Sequence, residues 1–276
     1  MTMNSFIDIL TQMTDRSEIP EIKPLKSYSD YLKWQCDNYN NQQGDLQEYD
    51  CPECKNRGYF YKIVDDVIVQ SECKCLTIRK NLKRLKNSGL GNLANRFTFD
   101  KFRTEQIWQS RVKEKAIEYT RDNSIKWLFF GGQSGCGKTH ICTAVCMELI
   151  NQGHDVKYVL WRDLVHFAEQ NRFEENRFNS KIYDFQNIDV LYIDDFLKNT
   201  HKIGGTIQPT EIELNTAYEI INSRIIANKR TIISSELHIS DIIKLDEATG
   251  GRISEASKGY QIQVNFDKNR NFRLGG

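Results

Sequence analysis

The stretch Gly132-Gln133-Ser134-Gly135-Cys136-Gly137-Lys138-Thr139 decides how the rest of this 276-residue chain is read. It fits G-x-x-x-x-G-K-[ST], follows the apolar run Trp127–Phe130 and opens a helix-patterned segment that reaches about Asn151, the context this motif requires. Its glycines let the backbone curl so that successive N–H groups face phosphate oxygens. The helix start adds the positive end of its dipole. Lys138 is expected to reach the β- and γ-phosphates of a nucleoside triphosphate, and the Thr139 hydroxyl to ligate Mg²⁺.

Working outward, Val190-Leu191-Tyr192-Ile193-Asp194-Asp195-Phe196 is an apolar strand pattern that ends in two acids. Asp194 is expected to hold Mg²⁺. Asp195 falls at the carboxyl end of the strand, where open α/β sheets bind their ligands, and is placed to orient or activate water. The plainer alternative for an Asp pair after a strand is a turn or a helix N-cap. Strand patterns at Val156–Leu160, Thr231–Ser234 and Tyr260–Phe266 alternate with helix patterns at Ile107–Arg121, Arg162–Gln170, Thr210–Ala227 and Ile239–Ser257. That order predicts an α/β fold from about residue 93 onward, with a parallel sheet flanked by helices on both faces.

Four of the eight cysteines form two close pairs, Cys51-Pro52-Glu53-Cys54 and Cys73-Lys74-Cys75. Between them, Gly58–Val64 and Val67–Gln70 read as two strands around the acidic turn Asp65-Asp66, a hairpin that brings the pairs together. Four thiolates suit Zn²⁺, and a site closed by four protein ligands is structural rather than catalytic. The alternative is four reduced thiols in a small core. Cys142 and Cys146, one helical turn apart, read as part of a buried helix face; Cys136 lies inside the Gly-rich loop and is counted with it in the nucleotide-contacting set, and Cys36 sits in an aromatic helix-patterned segment.

Lys plus Arg (38) nearly balance Asp plus Glu (37), so total charge does not announce a nucleic-acid binder. Local charge is uneven. Residues 1–50 hold 9 acids and 4 bases, and residues 51–100 hold 10 bases and 5 acids. Arg79, Lys80, Lys83, Arg84 and Lys86 lie on a helix-patterned stretch without an acid, suited either to phosphates or to plain solvation. Gly89 and Gly91 mark a boundary. No apolar run approaches the roughly 18 residues of a membrane span. The first residues lack a secretory pattern, so a cytoplasmic setting with no membrane partner is expected.

Several further stretches carry a family resemblance. Arg96-Phe97-Thr98-Phe99-Asp100-Lys101-Phe102 leads into the phosphate loop, which continues to His140; Leu191–Phe196, Ile233-Ser234-Ser235-Glu236-Leu237 and Gly250-Gly251-Arg252-Ile253 follow. Together they resemble the helicase-loader ATPases of the DnaC/DnaI type, a branch of the AAA+ class. The cysteine segment resembles the zinc-binding N-terminal part of DnaI-like and phage DnaC-like proteins. The resemblance implies an AAA+ P-loop ATPase domain over residues 93–276. It also implies a helical, zinc-binding, helicase-interacting module over residues 1–92. His140 and Ser235 join the nucleotide-contacting set, and Arg252 stands at the arginine-finger position, acting in trans on a neighbouring subunit. Arg273 stands at a C-terminal basic position. The chain departs from the family pattern twice. Glu236 replaces the usual Asn, placing an acid where γ-phosphate would repel it. Asp195 replaces the usual Glu and is one methylene shorter, so slow turnover is expected.

The implied activity is ATP-dependent loading of the replicative DNA helicase, with single-stranded DNA bound and self-association through the AAA+ domain. Lys198, Lys202, Lys157, Arg162 and the basic helix are the candidates for DNA phosphates. The alternatives are a transposition helper ATPase of the IstB type, a zinc-containing nucleotide-binding adaptor without turnover, and a nucleotide kinase. The last is disfavoured because Lys198–Lys202 lacks an Arg-rich lid.

Overall fold

Alternating side chains along the central strands send one set of apolar residues to each face of a sheet, and this alternation builds the larger part of the molecule. The computed structural model describes residues 27–91, 93–124, 126–171, 182–198, 201–203 and 206–272. The chain divides into two compact units, residues 1–79 and 80–276.

In the first unit, helix Tyr28–Asn41 starts at Ser27, whose side chain caps the Asp30 amide. Strands β1 (Tyr59–Val64) and β2 (Val67–Glu72) pair antiparallel, with Val64 opposite Val67. Asp65 and Asp66 both take positive φ (50° and 59°), as a two-residue hairpin turn requires. Asn40 ties the helix to the strand: its amide nitrogen donates to the Tyr61 carbonyl at 2.8 Å, and its oxygen accepts the Tyr61 amide at 2.7 Å.

In the second unit, β3 (Leu128–Gly132), β4 (Val156–Leu160), β5 (Val190–Phe196), β8 (Arg230–Ser235) and β9 (Gln261–Val264) form one sheet in the order β4-β5-β8-β3-β9. Every pairing is parallel. Leu128, Phe130, Val190, Tyr192 and Ile232 face helices Ile107–Arg121 and Lys138–Asn151. Phe129, Leu191, Ile193 and Ile233 join a second core with Trp161, Leu164, Ile220, Ile242 and Ile253 from the helices of the opposite face. Each fully buried side chain of this kind contributes about 1.5–3 kcal/mol, so the sheet is stable only with helices covering both of its faces. The buried Arg224 guanidinium donates to the Phe185, Gln186 and Ile188 carbonyls and to Thr231 Oγ1. It thereby anchors helix Glu211–Ile226 to the approach into β5.

The polar stretch after β5, to which the sequence assigns no strand, contains a short antiparallel pair, β6 (His201–Ile203) and β7 (Thr206–Gln208). Gly204-Gly205 in the sequence between them is a hairpin signal. The last strand is shorter than its alternation predicted, since only Gln261–Val264 pairs with β3.

Candidate functional site

The phosphate loop leaves the end of β3 and enters helix Lys138–Asn151 at Gly137, whose φ of 91° is open to glycine at little cost. A Cβ on Gly135 (φ 80°) would sit 2.1 Å from Asn271 Oδ1, so a side chain there would displace Asn271 and strain the left-handed backbone. Residues far along the chain brace the loop from outside. Gln133 Nε2 donates to the Asp267 carbonyl at 2.9 Å, and the Asp267 amide donates to Gln133 Oε1 at 2.7 Å. The Phe272 amide donates to the Gly135 carbonyl at 3.0 Å. Lys138 is buried, with its ammonium on the Gly132 and Gln133 carbonyls at 2.7 and 2.9 Å.

β8 lies between β3 and β5, so the phosphate loop and the two acids meet across it at the carboxyl edge of the sheet. The β5–β8 register shifts between Ile193 and Phe196, and Asp195 takes a left-handed φ of 56°. This bulge re-aims the two carboxylates. Asp194 turns inward, 2% exposed, and accepts from Thr139 Oγ1 (3.3 Å), Tyr192 Oη (2.8 Å), Tyr158 Oη (3.2 Å), the Asp195 amide (3.1 Å) and Ser234 Oγ. Burial pushes both tyrosine hydroxyls up in pKa, which keeps them protonated as donors. Asp195 instead lines the cleft.

The cleft has a volume of about 510 Å³. Ser134, Gly135, Gly137, Lys138 and Thr139 line its phosphate end together with Asp195, Lys198 and Glu236. Arg96, Phe97, Phe102, His140 and Phe272 also contribute to its wall. His140 stacks on Phe97 (5.0 Å between centroids), and its Nε2–H donates to the Thr98 carbonyl at 2.8 Å. Burial lowers the His140 pKa, with Lys101 and Lys113 acting in the same direction.

Several residues singled out from sequence stand away from the cleft wall, Gly132 and the inward-turned Asp194 among them. Cys136 is fully buried in the core behind the loop. The Gln133 side chain is spent on Asp267. Ser235 is buried too, its hydroxyl donating to the Phe196 carbonyl at 2.7 Å and accepting the Leu237 amide at 3.1 Å. At that strand end the cleft-facing residue is Glu236. Arg252 lies on helix Glu247–Ala256, where Nε donates to Asn222 Oδ1 at 3.1 Å and the guanidinium covers the Tyr218 ring at 5.0 Å. Arg273 lies outside the described residues, as does the side chain of Lys202. Lys198, a DNA candidate by sequence, instead contacts Asp195 Oδ2 (3.0 Å) and Glu236 Oε1 (3.1 Å). Of the basic helix, Arg79 donates to the Tyr49 carbonyl at 2.6 Å and Arg84 pairs with Asp155 at 2.9 Å, so both are engaged within the protein. Sequence reasoning assigned no nucleotide role to Phe97, Phe102 or Phe272. The aromatic and basic run from Arg96 to Arg103 was the available signal for the first two.

The second cluster is Cys51, Cys54, Cys73 and Cys75, all buried, with their sulfurs within 4.8 Å of one another. Cys51–Cys73 and Cys54–Cys75 are 3.7 and 3.5 Å apart. Tetrahedral Zn²⁺ with Zn–S near 2.3 Å sets an S···S edge of about 3.8 Å, so the donor set fits that ion. The Gly58 amide donates to Cys54 Sγ at 3.3 Å, the kind of outer contact that orients a thiolate ligand. Burial opposes the Cys54 thiolate, but the Gly58 and neighbouring thiol hydrogen bonds outweigh it and bring its pKa to about 7. Burial pushes Cys73 up to about 12.

A five-stranded parallel sheet with a phosphate loop on one strand, paired acids two strands away and helices on both faces defines a P-loop nucleotide-binding protein of the AAA+ type. The profile of the IstB-like ATP binding protein family matches residues 51–241, well over half the chain, which therefore belongs to that family. The chain is 31% identical over 234 residues to the phage-like element PBSX protein XkdC of Bacillus subtilis (strain 168), covering 80% of this chain and 85% of that one. It is 24% identical over 207 residues to the replicative helicase loader DnaC of Escherichia coli (strain K12), covering 72% and 77%. The fold resembles a crystal structure of the DnaC helicase loader with a TM-score of 0.51 at 17% identity, covering 64% of this chain and all of that one. The DnaI crystal structure also gives a TM-score of 0.51, at 15% identity over 63% of this chain and 93% of that one. No helix among the described residues is long and apolar enough to cross a membrane.

Proposed function

We propose that this protein is an ATP-switched loader of a replicative DNA helicase, and that it hydrolyses ATP slowly. The observation that carries the ATP half is the Thr139–Asp194 contact beneath the phosphate loop, which joins two hard oxygen donors, one from the first turn of helix Lys138–Asn151 and one from β5. Together they would hold Mg²⁺, whose charge would offset that of the β- and γ-phosphates. The loop amides and Lys138 bind phosphate oxygens, and Asp195, facing the cleft, orients the attacking water. Arg252 is absent from the cleft wall of its own chain and rests on an aromatic surface, which suits it to act on ATP held by a neighbouring copy. Zn²⁺ on the four thiolates would be a structural cross-link.

The loading half rests on the similarity to DnaC and on the cysteine-bearing unit, which we assign to the helicase-interacting module of residues 1–92. Residues 93–276 act as the ATPase domain that self-associates and holds single-stranded DNA. The test is assembly of purified replicative helicase onto circular single-stranded DNA, with and without this protein and ATP. Loading that requires both is the expected result. Absence of helicase binding, together with ATP-dependent stimulation of a transposase, would move the protein to the transposition-helper class its family name also covers.

A further inference from the structure

An acid at position 236 would repel a triphosphate, and a lysine faces it. Asp195 leaves the bulge of β5 and Glu236 follows β8. Both carboxylates line the cleft that holds Lys138 and Thr139. Two anions beside a nucleotide's terminal phosphate would weaken its binding. Lys198 Nζ reaches both, at 3.0 Å from Asp195 Oδ2 and 3.1 Å from Glu236 Oε1, and lines the same cleft. The backbone presents it there: the Lys198 amide donates to the Asp195 carbonyl at 3.0 Å, and Asp195 and Leu197 both take left-handed φ values of 56°. This tight turn brings the ammonium back over the carboxylate three residues earlier.

An isolated surface ion pair of this exposure would contribute little. Here, however, one ammonium joins acids from the ends of two different strands, at the edge where ligands bind. A lysine ammonium has three N–H donors, and these two acceptors engage two of them. The third has a terminal phosphate oxygen within its chemical scope.

We propose that Lys198, anchored by Glu236, reads the γ-phosphate, an assignment that rests on the ATP site proposed above. With diphosphate bound, the ammonium serves only the two carboxylates. With triphosphate bound, it also donates to the γ-phosphoryl oxygen and links that group to Asp195. Glu236 is then the fixed post that holds the lysine. Glu236 without Lys198 would leave an uncompensated anion facing the phosphates, whereas Lys198 also keeps Asp195 as a partner.

The experiment measures the affinities of ATPγS and ADP for the full-length wild-type protein, Lys198→Met, Lys198→Arg, Glu236→Gln and the Lys198→Met/Glu236→Gln double variant, with thermal melts as a check on folding. Loss of a charge-assisted hydrogen bond predicts that Lys198→Met weakens ATPγS about tenfold or more. ADP should weaken less than about threefold, so that the wild-type preference for triphosphate collapses. The double variant should recover ATPγS affinity relative to Lys198→Met, because the uncompensated acid is gone, but not the preference for triphosphate. Lys198→Arg keeps charge and donors and should retain that preference. Equal weakening of both nucleotides in Lys198→Met would overturn the inference and reduce the trio to a structural ion pair. So would loss of the preference in Lys198→Arg with an unchanged melt. A wild-type protein that binds neither nucleotide would instead remove the ATP site itself, and the inference with it.

Discussion

Tyr192 and Asp194 stand two residues apart on β5, and the Tyr192 hydroxyl donates to Asp194 Oδ1 at 2.8 Å inside a fully buried environment. The tyrosine is thus both a core residue and a holder of the carboxylate assigned to Mg²⁺. Tyr192→Phe should keep the packing and remove one donor from a buried anion, costing about 1.5–3 kcal/mol of stability. Outer-shell partners of metal ligands affect metal affinity on the order of tenfold. The Mg²⁺ concentration that half-saturates nucleotide hydrolysis should rise accordingly. An unchanged melt and an unchanged Mg²⁺ dependence would show that Thr139, Tyr158 and Ser234 suffice to fix Asp194.

Arg252 makes its hydrogen bonds to Asn222, Ala248 and Tyr218 rather than to Glu255, three residues on along its helix. If it serves a neighbouring copy, Arg252→Ala should lose on the order of 10³-fold in turnover while the monomer keeps its ATP affinity. Lys138→Ala should fail to bind ATP tightly. Mixing the two inactive variants should restore hydrolysis, because the Lys138→Ala subunit lends its arginine to a neighbour that still binds ATP. The measurement is ATPase rate against protein concentration with single-stranded DNA present. A wild-type rate independent of concentration, with no rescue in the mixture, would mean a monomeric enzyme.

Removing one thiolate from the cysteine cluster leaves three ligands for an ion whose binding in small zinc modules is worth roughly 10–16 kcal/mol. Cys54→Ser should therefore unfold residues 51–75 while ATP binding persists. Metal analysis of the purified protein should find one zinc per chain, and a strong chelator should reproduce the effect of the variant. A pure protein without zinc, or a variant that loses ATP binding as well, would contradict two separately folded units.

His140 predicts a pH dependence of known sign. Its pKa is lowered in the folded protein by burial, with Lys101 and Lys113 adding to the effect. The unfolded chain, with a histidine pKa near 6.5, binds the proton first. Stability is thus fully present above about pH 6.5 and declines as pH falls from there toward the folded pKa, by at most about 1.4 kcal/mol per pH unit for this one proton. Thermal melts between pH 7.5 and 5.5 should show a shallower decline for His140→Gln than for wild type. Parallel curves would assign the pH response to other groups.

The phosphate loop, the acidic strand end and the cysteine pairs were legible in the sequence because each is local and its chemistry depends on spacing within a few residues. The sheet was legible because Leu128–Phe130 and Val190–Ile193 are apolar on both faces, the mark of a covered parallel sheet. What escaped depends on backbone geometry or on distant partners. Nothing in Leu191–Phe196 announces a bulge that turns Asp194 inward and Asp195 toward the cleft. Ser235 looked available, yet its hydroxyl closes the local turn on Phe196 and Leu237. Lys198 stood among the candidates for DNA phosphates because its partner Glu236 lies 38 positions later in the sequence. Phe272 reaches the cleft only because its segment crosses the phosphate loop.

The bracing of that loop by Asp267 and Phe272 also bears on how the protein is made. A nascent chain that has reached residue 260 already carries the complete phosphate-loop motif. It still lacks β9, which flanks β3, and the groups that pair with Gln133 and Gly135. Contacts separated by 134 positions form slowly, because loop closure must come before them. The bracing of the nucleotide pocket is therefore incomplete until residues 261–272 have been made. ATP stabilises only the state that binds it, so cellular nucleotide acts on the finished sheet and favours chains that have completed this final closure.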